Sequence, residues 1–277
     1  MDKVLGAIMT VVVSIMGILP IANPAKPSPS PLKVAGVSTV VTASPTPTAT
    51  PTPSPKPTPL PIKTSKSSYT IAVFGDSLVD TMGENLDFLD HALLTKYPNV
   101  KFKLYNYGIG SQNVEMGLAR FHQPLVYKER NFPPIDQINA DIIILGSFAY
   151  NPFSPYDKER HRQGLISLVE EAKKTGSRVY LMAEIAPLKS GFGAGPNGVN
   201  WDEARANEQA NNIVEQLLSA IGVASSQGVP LINVYSQSLL DGRFGRTIYV
   251  SDNDRIHPSA AGQTLTANII VQTIKLP

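Results

Sequence analysis

Three side chains have the types and order of a nucleophile with its acid–base partners. Ser77 follows the apolar run at residues 70–74 and stands in the sequence Gly75-Asp76-Ser77-Leu78. A serine hydroxyl needs a base to become a nucleophile, and His257 can accept its proton. Asp254, three residues before His257, can orient the imidazole and stabilise its cationic form. We therefore predict Ser77 as nucleophile, His257 as base and Asp254 as orienting acid.

The negative charge that forms on an attacked carbonyl oxygen needs hydrogen-bond donors already in place. The backbone amides of Ser77 and of the Gly110–Ser111 turn are candidates, together with one side-chain amide. The Asn-x-Gly-x-Gly sequence could instead be an ordinary turn whose glycines adopt positive φ angles, or it could bind phosphate. A dinucleotide-binding fingerprint would need a glycine three positions after Gly110, where Asn113 stands.

Strand and helix patterns alternate from Tyr69 to Pro277, and they position these residues. The predicted strands are 70–74, 100–107, 140–145, 178–185 and 231–235, and the predicted helices are 84–97, 115–126, 156–175, 201–224 and 259–274. This alternation predicts an α/β fold with a central five-stranded parallel sheet that is covered on both faces. Ligands bind at the carboxyl ends of such strands, so Ser77, the Gly110 turn and the 254–257 loop should meet at one edge.

The first 68 residues differ sharply in composition from the rest. Residues 4–22 carry no charge, and as a helix these 19 residues would extend roughly 28 Å, close to the hydrocarbon thickness of a bilayer. We predict residues 1–22 as a transmembrane anchor or a cleaved signal peptide. In residues 23–68, 12 of 46 residues are Pro, which predicts a disordered linker. A spacer or glycosylated stalk is favoured over a ligand for proline-reading domains, and residues 69–277 are predicted to form one domain.

Charge and cysteine content exclude several classes of protein. The formal net charge is +2, but six Lys and only one Asp lie before residue 67. The remaining 18 basic and 21 acidic side chains give the rest of the chain a net charge of −3. A nucleic-acid-binding domain would carry its basic excess on the folded part, so no nucleic-acid partner is expected. The chain has no Cys, which excludes disulfides, Cys-ligated metal centres and a thiol nucleophile.

In their order and spacing, these motifs resemble those of the SGNH/GDSL hydrolase superfamily over essentially residues 69–277. The first family block matches Gly75-Asp76-Ser77-Leu78, and the last block matches Asp254 and His257. The resemblance implies an α/β/α sandwich that acts as an esterase, lipase, thioesterase or deacetylase, with Ser77 as its nucleophile. No Gly-x-Ser-x-Gly sequence occurs, which disfavours the nucleophile-elbow hydrolases.

Two blocks depart from the family pattern. The second block normally supplies a glycine amide to the oxyanion hole, and Ser111 stands at that position with Gly110 just before it. The third block is normally Gly-x-Asn-Asp, but here Phe148 occupies the Asn position and cannot donate. Asn151 comes three residues later and is the natural substitute if the loop bulges. The predicted oxyanion donors are therefore Ser77, Gly110, Ser111 and Asn151.

Three further groups of residues surround these motifs. One group is an aromatic stretch after the third strand: Phe148, Tyr150, Phe153 and Tyr156. It could form an acyl pocket or a platform on which a sugar stacks, or it could simply pack under the third loop. Residues 189–200 contain four Gly and could be a mobile flap or an ordinary surface loop. Solvated surface positions are expected for the other histidines: His91, His122 and His161.

Together these features predict an extracytoplasmic serine ester hydrolase. Its expected substrates carry O-acetyl or short acyl groups on a cell-envelope polysaccharide, ahead of lipids or other acylated small molecules. An acyltransferase with the same triad and a catalytically inactive carbohydrate-binding module remain as alternatives. Neither a metal nor an organic cofactor is expected, the N-terminal segment is the expected membrane contact, and the protein is expected to be a monomer.

Overall fold

The computed structural model describes residues 64–276 of the chain. The predicted anchor or signal at residues 1–22 lies outside the described residues, as does most of the predicted linker at residues 23–68. Within residues 64–276, no helix is long and apolar enough to cross a membrane. The first strand begins at Ser68, and the Lys66 ammonium binds the carboxylate of Asp141. The contacts of the folded domain thus include the end of the predicted linker.

The strands of residues 64–276 form one large and one small sheet. They are β1 (Ser68–Gly75), β2 (Lys101–Gly108), β3 (Leu125–Tyr127), β4 (Arg130–Phe132), β5 (Ile142–Gly146), β6 (Arg178–Ala183) and β7 (Leu231–Asn233). Five of them form a parallel sheet in the order β2-β1-β5-β6-β7. The predicted α/β fold with a central five-stranded parallel sheet is confirmed.

Helices connect the parallel strands and cover both faces of the sheet. They are α1 (Ser77–Asp80), α2 (Asp87–Lys96), α3 (Val114–Arg120), α4 (Lys158–Lys174), α5 (Glu203–Ser226), α6 (Val234–Ser238) and α7 (Ala260–Thr273). Helices α2 and α7 pack against each other, whereas α4 contacts both α3 and α5. Short 3₁₀ turns at Ile135–Gln137 and Thr247–Tyr249 complete the regular structure of the described residues.

Alternate side chains of the central strands enter two separate apolar clusters, one on each face. On β1, Ile71 and Val73 pack with Leu89 of α2 in one cluster. On the other face, Phe74 packs with Leu165 of α4. Successive side chains of a strand point to opposite faces, so an apolar run without alternation fits a strand that is buried on both sides. The motif that contains the predicted nucleophile Ser77 follows this buried central strand directly.

The predicted helix at residues 115–126 is wrong in its second half. Helix α3 ends at Arg120, and Leu125–Tyr127 instead pairs antiparallel with Arg130–Phe132. Pro124 explains the early end, because proline has no amide donor and biases the preceding residue away from helical geometry. The small hairpin β3–β4 begins directly after Pro124.

The predicted strand at residues 231–235 is also shorter than expected. Strand β7 ends at Asn233, and α6 begins at the next residue. The side chain of Asn233 accepts a hydrogen bond from the Ser236 amide at 3.0 Å and caps this helix. A capping side chain favours helix initiation over continuation of the strand.

Candidate active site

One cavity of about 770 Å³ lies at the carboxyl edge of the sheet. The predicted nucleophile, base, acid and two predicted oxyanion donors all line it: Ser77, His257, Asp254, Ser111 and Asn151. Gly110 lies beside them, because a Cβ added there would be 4.0 Å from the Ser77 Cβ. Residues that are up to 180 positions apart in the sequence therefore meet where the parallel strands end, as such sheets require.

The turn from β1 into α1 presents Ser77 at the first position of the helix. Gly75 is needed for this turn, because a Cβ there would lie 2.4 Å from a methyl group of Val79. The buried Asp76 side chain caps α1 by accepting a hydrogen bond from the Leu78 amide at 3.0 Å. Ser77 itself is half-buried and lines the cavity, so a ligand in the cavity can reach its side chain.

His257 and Asp254 form a hydrogen-bonded pair on the loop before α7. Nδ1 of His257 lies 2.6 Å from a carboxylate oxygen of Asp254, whose other oxygen accepts the amides of Ile256 and His257. Partial burial acts to raise the pKa of Asp254, but these hydrogen bonds outweigh it and hold that pKa below its ordinary value. An ionised Asp254 keeps the proton on Nδ1, so Nε2 is free to accept one. Nε2 is buried and has no hydrogen-bond partner among residues 64–276.

The loop after β5 turns sharply and brings Asn151 to the cavity. Phe148 has a φ of 56°, and its buried ring packs against Gly117, where an added Cβ would be 2.5 Å away. Phe148 therefore belongs to the core and contributes nothing to the cavity. The Asn151 side-chain amide donates to the second carboxylate oxygen of Asp76 at 2.9 Å. This nitrogen carries two hydrogens, so one remains for a ligand in the cavity.

Ser111 adopts the backbone geometry that a glycine would favour. Its φ is 60°, in the left-handed region, and it lies in the turn after β2 that lines the cavity. A non-glycine residue held in this region carries strain, which commonly marks a functional turn. The adjacent Asn106 fixes the base of the turn, because its side-chain oxygen accepts the Gly108 amide at 2.8 Å.

The glycine-rich residues 189–200 pack directly on the loop that carries Asp254 and His257. The Asn197 amide donates to the Asn253 carbonyl at 2.8 Å, and the Gly193 amide donates to the Arg255 carbonyl at 3.2 Å. Gly195 makes the closest approach, since an added Cβ would lie 2.5 Å from the Asn253 oxygen. The segment has no helix or strand and several exposed residues, as expected of a surface loop, and these backbone contacts attach it to the loop of Asp254 and His257.

The remainder of the cavity wall is aromatic and polar. Tyr150, Phe153 and Tyr156 line it, as expected for part of the aromatic stretch. The opposite wall was not predicted, and it comes from the segment before α5 and one face of that helix: Trp201, Arg205, Glu208, Gln209 and Asn212. The spacing of 205, 208, 209 and 212 is the signal that was available, because polar residues three and four apart share one helix face.

A buried polar cluster beneath the cavity was also missed. Burial raises the pKa of Asp76 to about 6, and burial together with the Asp76 carboxylate raises that of Glu184 to about 8. His161, expected at the surface, is in fact 1% exposed, and burial lowers its pKa to about 4. His161 lies on the apolar face of α4 with Leu165 and Leu168, which explains its burial. His91 and His122 are exposed as expected.

A parallel α/β/α sandwich with a hydroxyl, an imidazole and a carboxylate around one cavity has the architecture of a serine ester hydrolase. The profile of the GDSL-like lipase/acylhydrolase family matches residues 73–265, and the chain belongs to this family of carboxylic ester hydrolases. No curated protein sequence matches the chain.

Solved structures share the fold at low sequence identity. The lipase/acylhydrolase from Enterococcus faecalis is 18% identical with a TM-score of 0.53, over 74% of this chain and 94% of that one. A GDSL-like lipase from Bacteroides thetaiotaomicron is 16% identical with a TM-score of 0.52, over 74% and 86%. A variant of an acetyl xylan esterase from Geobacillus stearothermophilus is 17% identical with a TM-score of 0.51, over 75% and 95%.

Proposed function

We propose that this protein removes O-acetyl or other short acyl groups from a cell-envelope polysaccharide, with Ser77, His257 and Asp254 as its catalytic triad. The observation that carries the proposal is that Ser77 and the hydrogen-bonded Asp254–His257 pair line the same cavity. Membership of a family of ester hydrolases supports the reaction type. The acetyl xylan esterases among the structural neighbours support an acetylated carbohydrate as the substrate class.

In the proposed reaction, Ser77 Oγ attacks the acyl carbonyl carbon and its proton passes to His257 Nε2. The carbonyl electron pair becomes an oxyanion, which receives hydrogen bonds from the backbone amides of Ser77 and the Gly110–Ser111 turn and from Asn151 Nδ2. The tetrahedral intermediate expels the sugar oxygen, which takes the proton from His257. Water then attacks the acyl-serine, gives one proton to His257, and releases the carboxylic acid while the Ser77 hydroxyl is restored.

The composition of the cavity wall favours a sugar over a long acyl chain. Arg205, Gln209 and Asn212 offer hydrogen-bonding groups on one side, whereas a long acyl chain would need a continuous apolar channel. Trp201 lies at the same wall with the Arg205 guanidinium 4.3 Å from its ring centroid. An aromatic ring flanked by hydrogen-bonding groups suits the apolar face and hydroxyl rim of a sugar ring.

The N-terminal sequence supports an extracytoplasmic location for this reaction. A charge-free segment at residues 4–22 precedes the Pro-rich residues 23–68, which in extended form would reach roughly 140 Å. We propose that the segment anchors the enzyme in a membrane and that the linker lets the domain reach an envelope polymer.

The experiment is a comparison of full-length wild type and Ser77→Ala on nitrophenyl esters from acetyl to dodecanoyl and on acetylated xylooligosaccharides. Fastest turnover of the acetyl ester, with acetate release from the oligosaccharide, is expected for wild type alone. Trp201→Ala should raise KM for the oligosaccharide roughly three- to tenfold and leave nitrophenyl acetate unchanged.

Other outcomes would contradict the proposal. A preference for long acyl chains would point to a lipase, and transfer of acetyl to an added sugar in place of water would point to an acyltransferase. Carbohydrate binding without any turnover would identify an inactive binding module.

A further inference from the structure

Glu184, the first residue after β6, carries a buried carboxyl group that the proposed reaction does not use. It is 4% exposed, and both of its oxygens contact Ser147, the first residue after β5. The Ser147 amide donates to one oxygen at 2.8 Å, and the Ser147 hydroxyl binds the other. Gly146 leaves the space for this group, since an added Cβ would lie 2.7 Å from Glu184 Oε1.

Ser147 is held from its other side by His161. Nε2 of His161 lies 2.8 Å from the Ser147 carbonyl oxygen. Because burial lowers the pKa of His161 to about 4, the ring is neutral at pH 7 and Nε2 donates its hydrogen to this carbonyl. The amide, hydroxyl and carbonyl of Ser147 therefore all have buried partners.

The same loop carries Asn151 four residues further on. The Ser147 hydroxyl oxygen accepts a hydrogen bond from the Ala149 backbone amide at 3.2 Å, and the Asn151 backbone amide donates to the Phe148 carbonyl at 3.4 Å. Between these bonds the chain passes through the left-handed φ of Phe148. At the far end, the Asn151 side chain donates to Asp76 beside the nucleophile. The loop is thus fixed at Ser147 and at Asn151, and Glu184 provides the first of these attachments.

We propose that Glu184 is a positioning residue that fixes the loop after β5, so that the Asn151 side-chain amide points into the oxyanion site. This inference rests on the oxyanion role proposed above for Asn151. A buried acid next to a second buried acid is costly, whereas an apolar side chain would complete the strand end at lower cost. A positioning function for the loop explains why the polar group is there.

The first test is steady-state kinetics of full-length Glu184→Ala and Glu184→Gln on nitrophenyl acetate. Loss of the carboxyl group in the Ala variant should lower kcat roughly 10- to 100-fold and change KM less than about threefold, as expected for a misplaced donor. The Gln variant should recover most of kcat, because its oxygen can accept the Ser147 amide and its NH₂ can donate to the Ser147 hydroxyl.

The decisive test is a double-mutant cycle with Asn151→Ala. If Glu184 acts through Asn151, Glu184→Ala should cost less than about twofold in kcat once Asn151 is Ala. Ser147→Ala removes the hydroxyl contacts with Glu184 and with the Ala149 amide but keeps the Ser147 amide bond to Glu184. It should show the same dependence with a smaller effect, and it serves where Glu184→Ala does not fold. Ser238→Ala is the matched control, because Ser238 is as buried as Ser147 and does not line the cavity. Its hydroxyl oxygen accepts the Ala186 backbone amide at 2.8 Å. Ser238→Ala should lower stability without changing kcat.

Each contrary result has a separate meaning. Equal losses from Glu184→Ala in the wild-type and Asn151→Ala backgrounds, or unchanged kcat in Glu184→Ala, would overturn the positioning role alone. Wild-type turnover in Asn151→Ala would remove the oxyanion role on which the inference rests. Turnover that persists in Ser77→Ala would instead overturn the proposed function.

Discussion

Ser77 stands at the point where a buried strand becomes a helix, and its hydroxyl is one polar atom on a half-buried side chain. Ser77→Ala removes that atom and leaves the Gly75 packing and the Asp76 cap in place. We expect ester turnover to fall to background with an unchanged melting temperature. A serine-reactive phosphonate should label the wild type and not the variant, as mass spectrometry would show. Labelling of Ser77→Ala would place the nucleophile elsewhere.

Asn151 is predicted to lower the energy of the oxyanion through its second amide hydrogen. Asn151→Ala should lower kcat about 100- to 1,000-fold, roughly 3–4 kcal/mol, because a preorganised donor is lost. KM for nitrophenyl acetate should change little, since the donor acts mainly on the charge formed in the transition state.

Asn212→Ala is the matched control for this variant. Asn212 lines the same cavity on the α5 wall and has no place in the proposed oxyanion site. Its replacement should leave kcat for nitrophenyl acetate unchanged. Near-normal turnover in Asn151→Ala would show that backbone amides alone form the oxyanion hole.

Motif spacing predicted Ser77, Asp254 and His257 at the cavity, but it predicted neither the α5 wall of the cavity nor the buried residues beneath it. Ser77, Asp254 and His257 could be found because a hydroxyl, an imidazole and a carboxylate at strand ends suggest a reaction by type alone. Glu184 could not be found, because a glutamate that follows an apolar run is usually exposed. Only the structure shows that it binds Ser147 beneath the cavity.

The glycine-rich residues 189–200 connect the cavity wall to the loop of Asp254 and His257. Phe192, Asn197 and Val199 line the cavity, and the backbone around Gly195 lies against the backbone of the acid–base loop. The segment therefore packs against the loop of Asp254 and His257 and also forms part of the cavity wall. Gly195 and Gly198 allow this close approach, since a Cβ added at either position would lie within 2.7 Å of the backbone at Asn253 or Asp254.

Gly195→Ala tests this packing between two loops. The added Cβ would lie 2.5 Å from the Asn253 oxygen and 2.6 Å from the Asp254 Cα, so one of the loops must shift. We expect kcat to fall roughly 10- to 100-fold through misalignment of Asp254 and His257. Steady-state kinetics would measure this fall in kcat, and a parallel thermal melt would show whether the variant stays folded.

Gly222→Ala provides the control, because nothing lies within 4 Å of a Cβ added at this position in α5. It should keep kcat and stabilise the protein by about 1 kcal/mol through helix propensity. Wild-type kcat in Gly195→Ala would show that the segment does not position the triad.

Element types followed from the sequence more reliably than element ends. The five parallel strands were predicted because apolar runs of four to eight residues alternate with amphipathic helices. The end of α3 and the hairpin β3–β4 were missed because the apolar residues Leu125 and Val126 continue the helical pattern past Pro124. Local backbone chemistry outweighed hydrophobic periodicity there.

For the whole molecule, the N-terminal segment should decide where the enzyme works. If residues 1–22 stay attached, the native full-length protein should sediment with membranes and be released by detergent but not by high salt. Cell fractionation with immunoblotting would measure this, and a variant that lacks residues 1–22 should not sediment. Native protein found free in the medium, with its N-terminus near residues 22–26, would instead show a cleaved signal.

The buried acids Asp76 and Glu184 should make the stability of the whole domain depend on pH. Burial and repulsion from the Asp76 carboxylate raise the pKa of Glu184 to about 8 from its ordinary value of 4.5. An acid whose pKa is higher in the folded state contributes its full stability at pH values below its unfolded pKa. That contribution is lost as the pH rises through the folded pKa. For Glu184 the window runs from about pH 4.5 to about pH 8, and the loss is on the order of a few kcal/mol.

Glu184→Gln should remove most of this pH dependence, because an amide resembles the protonated acid and has no charge to bury. The free energy of unfolding of wild type and variant, from urea titrations at pH 5, 7 and 9, should be similar at pH 5. The wild type should then fall progressively below the variant toward pH 9. Glu170→Gln is the control: its exposed carboxylate meets water in both states, so its curve should run parallel to that of the wild type. Parallel curves for Glu184→Gln and wild type would mean that the Glu184 carboxyl group ionises in the folded protein without penalty.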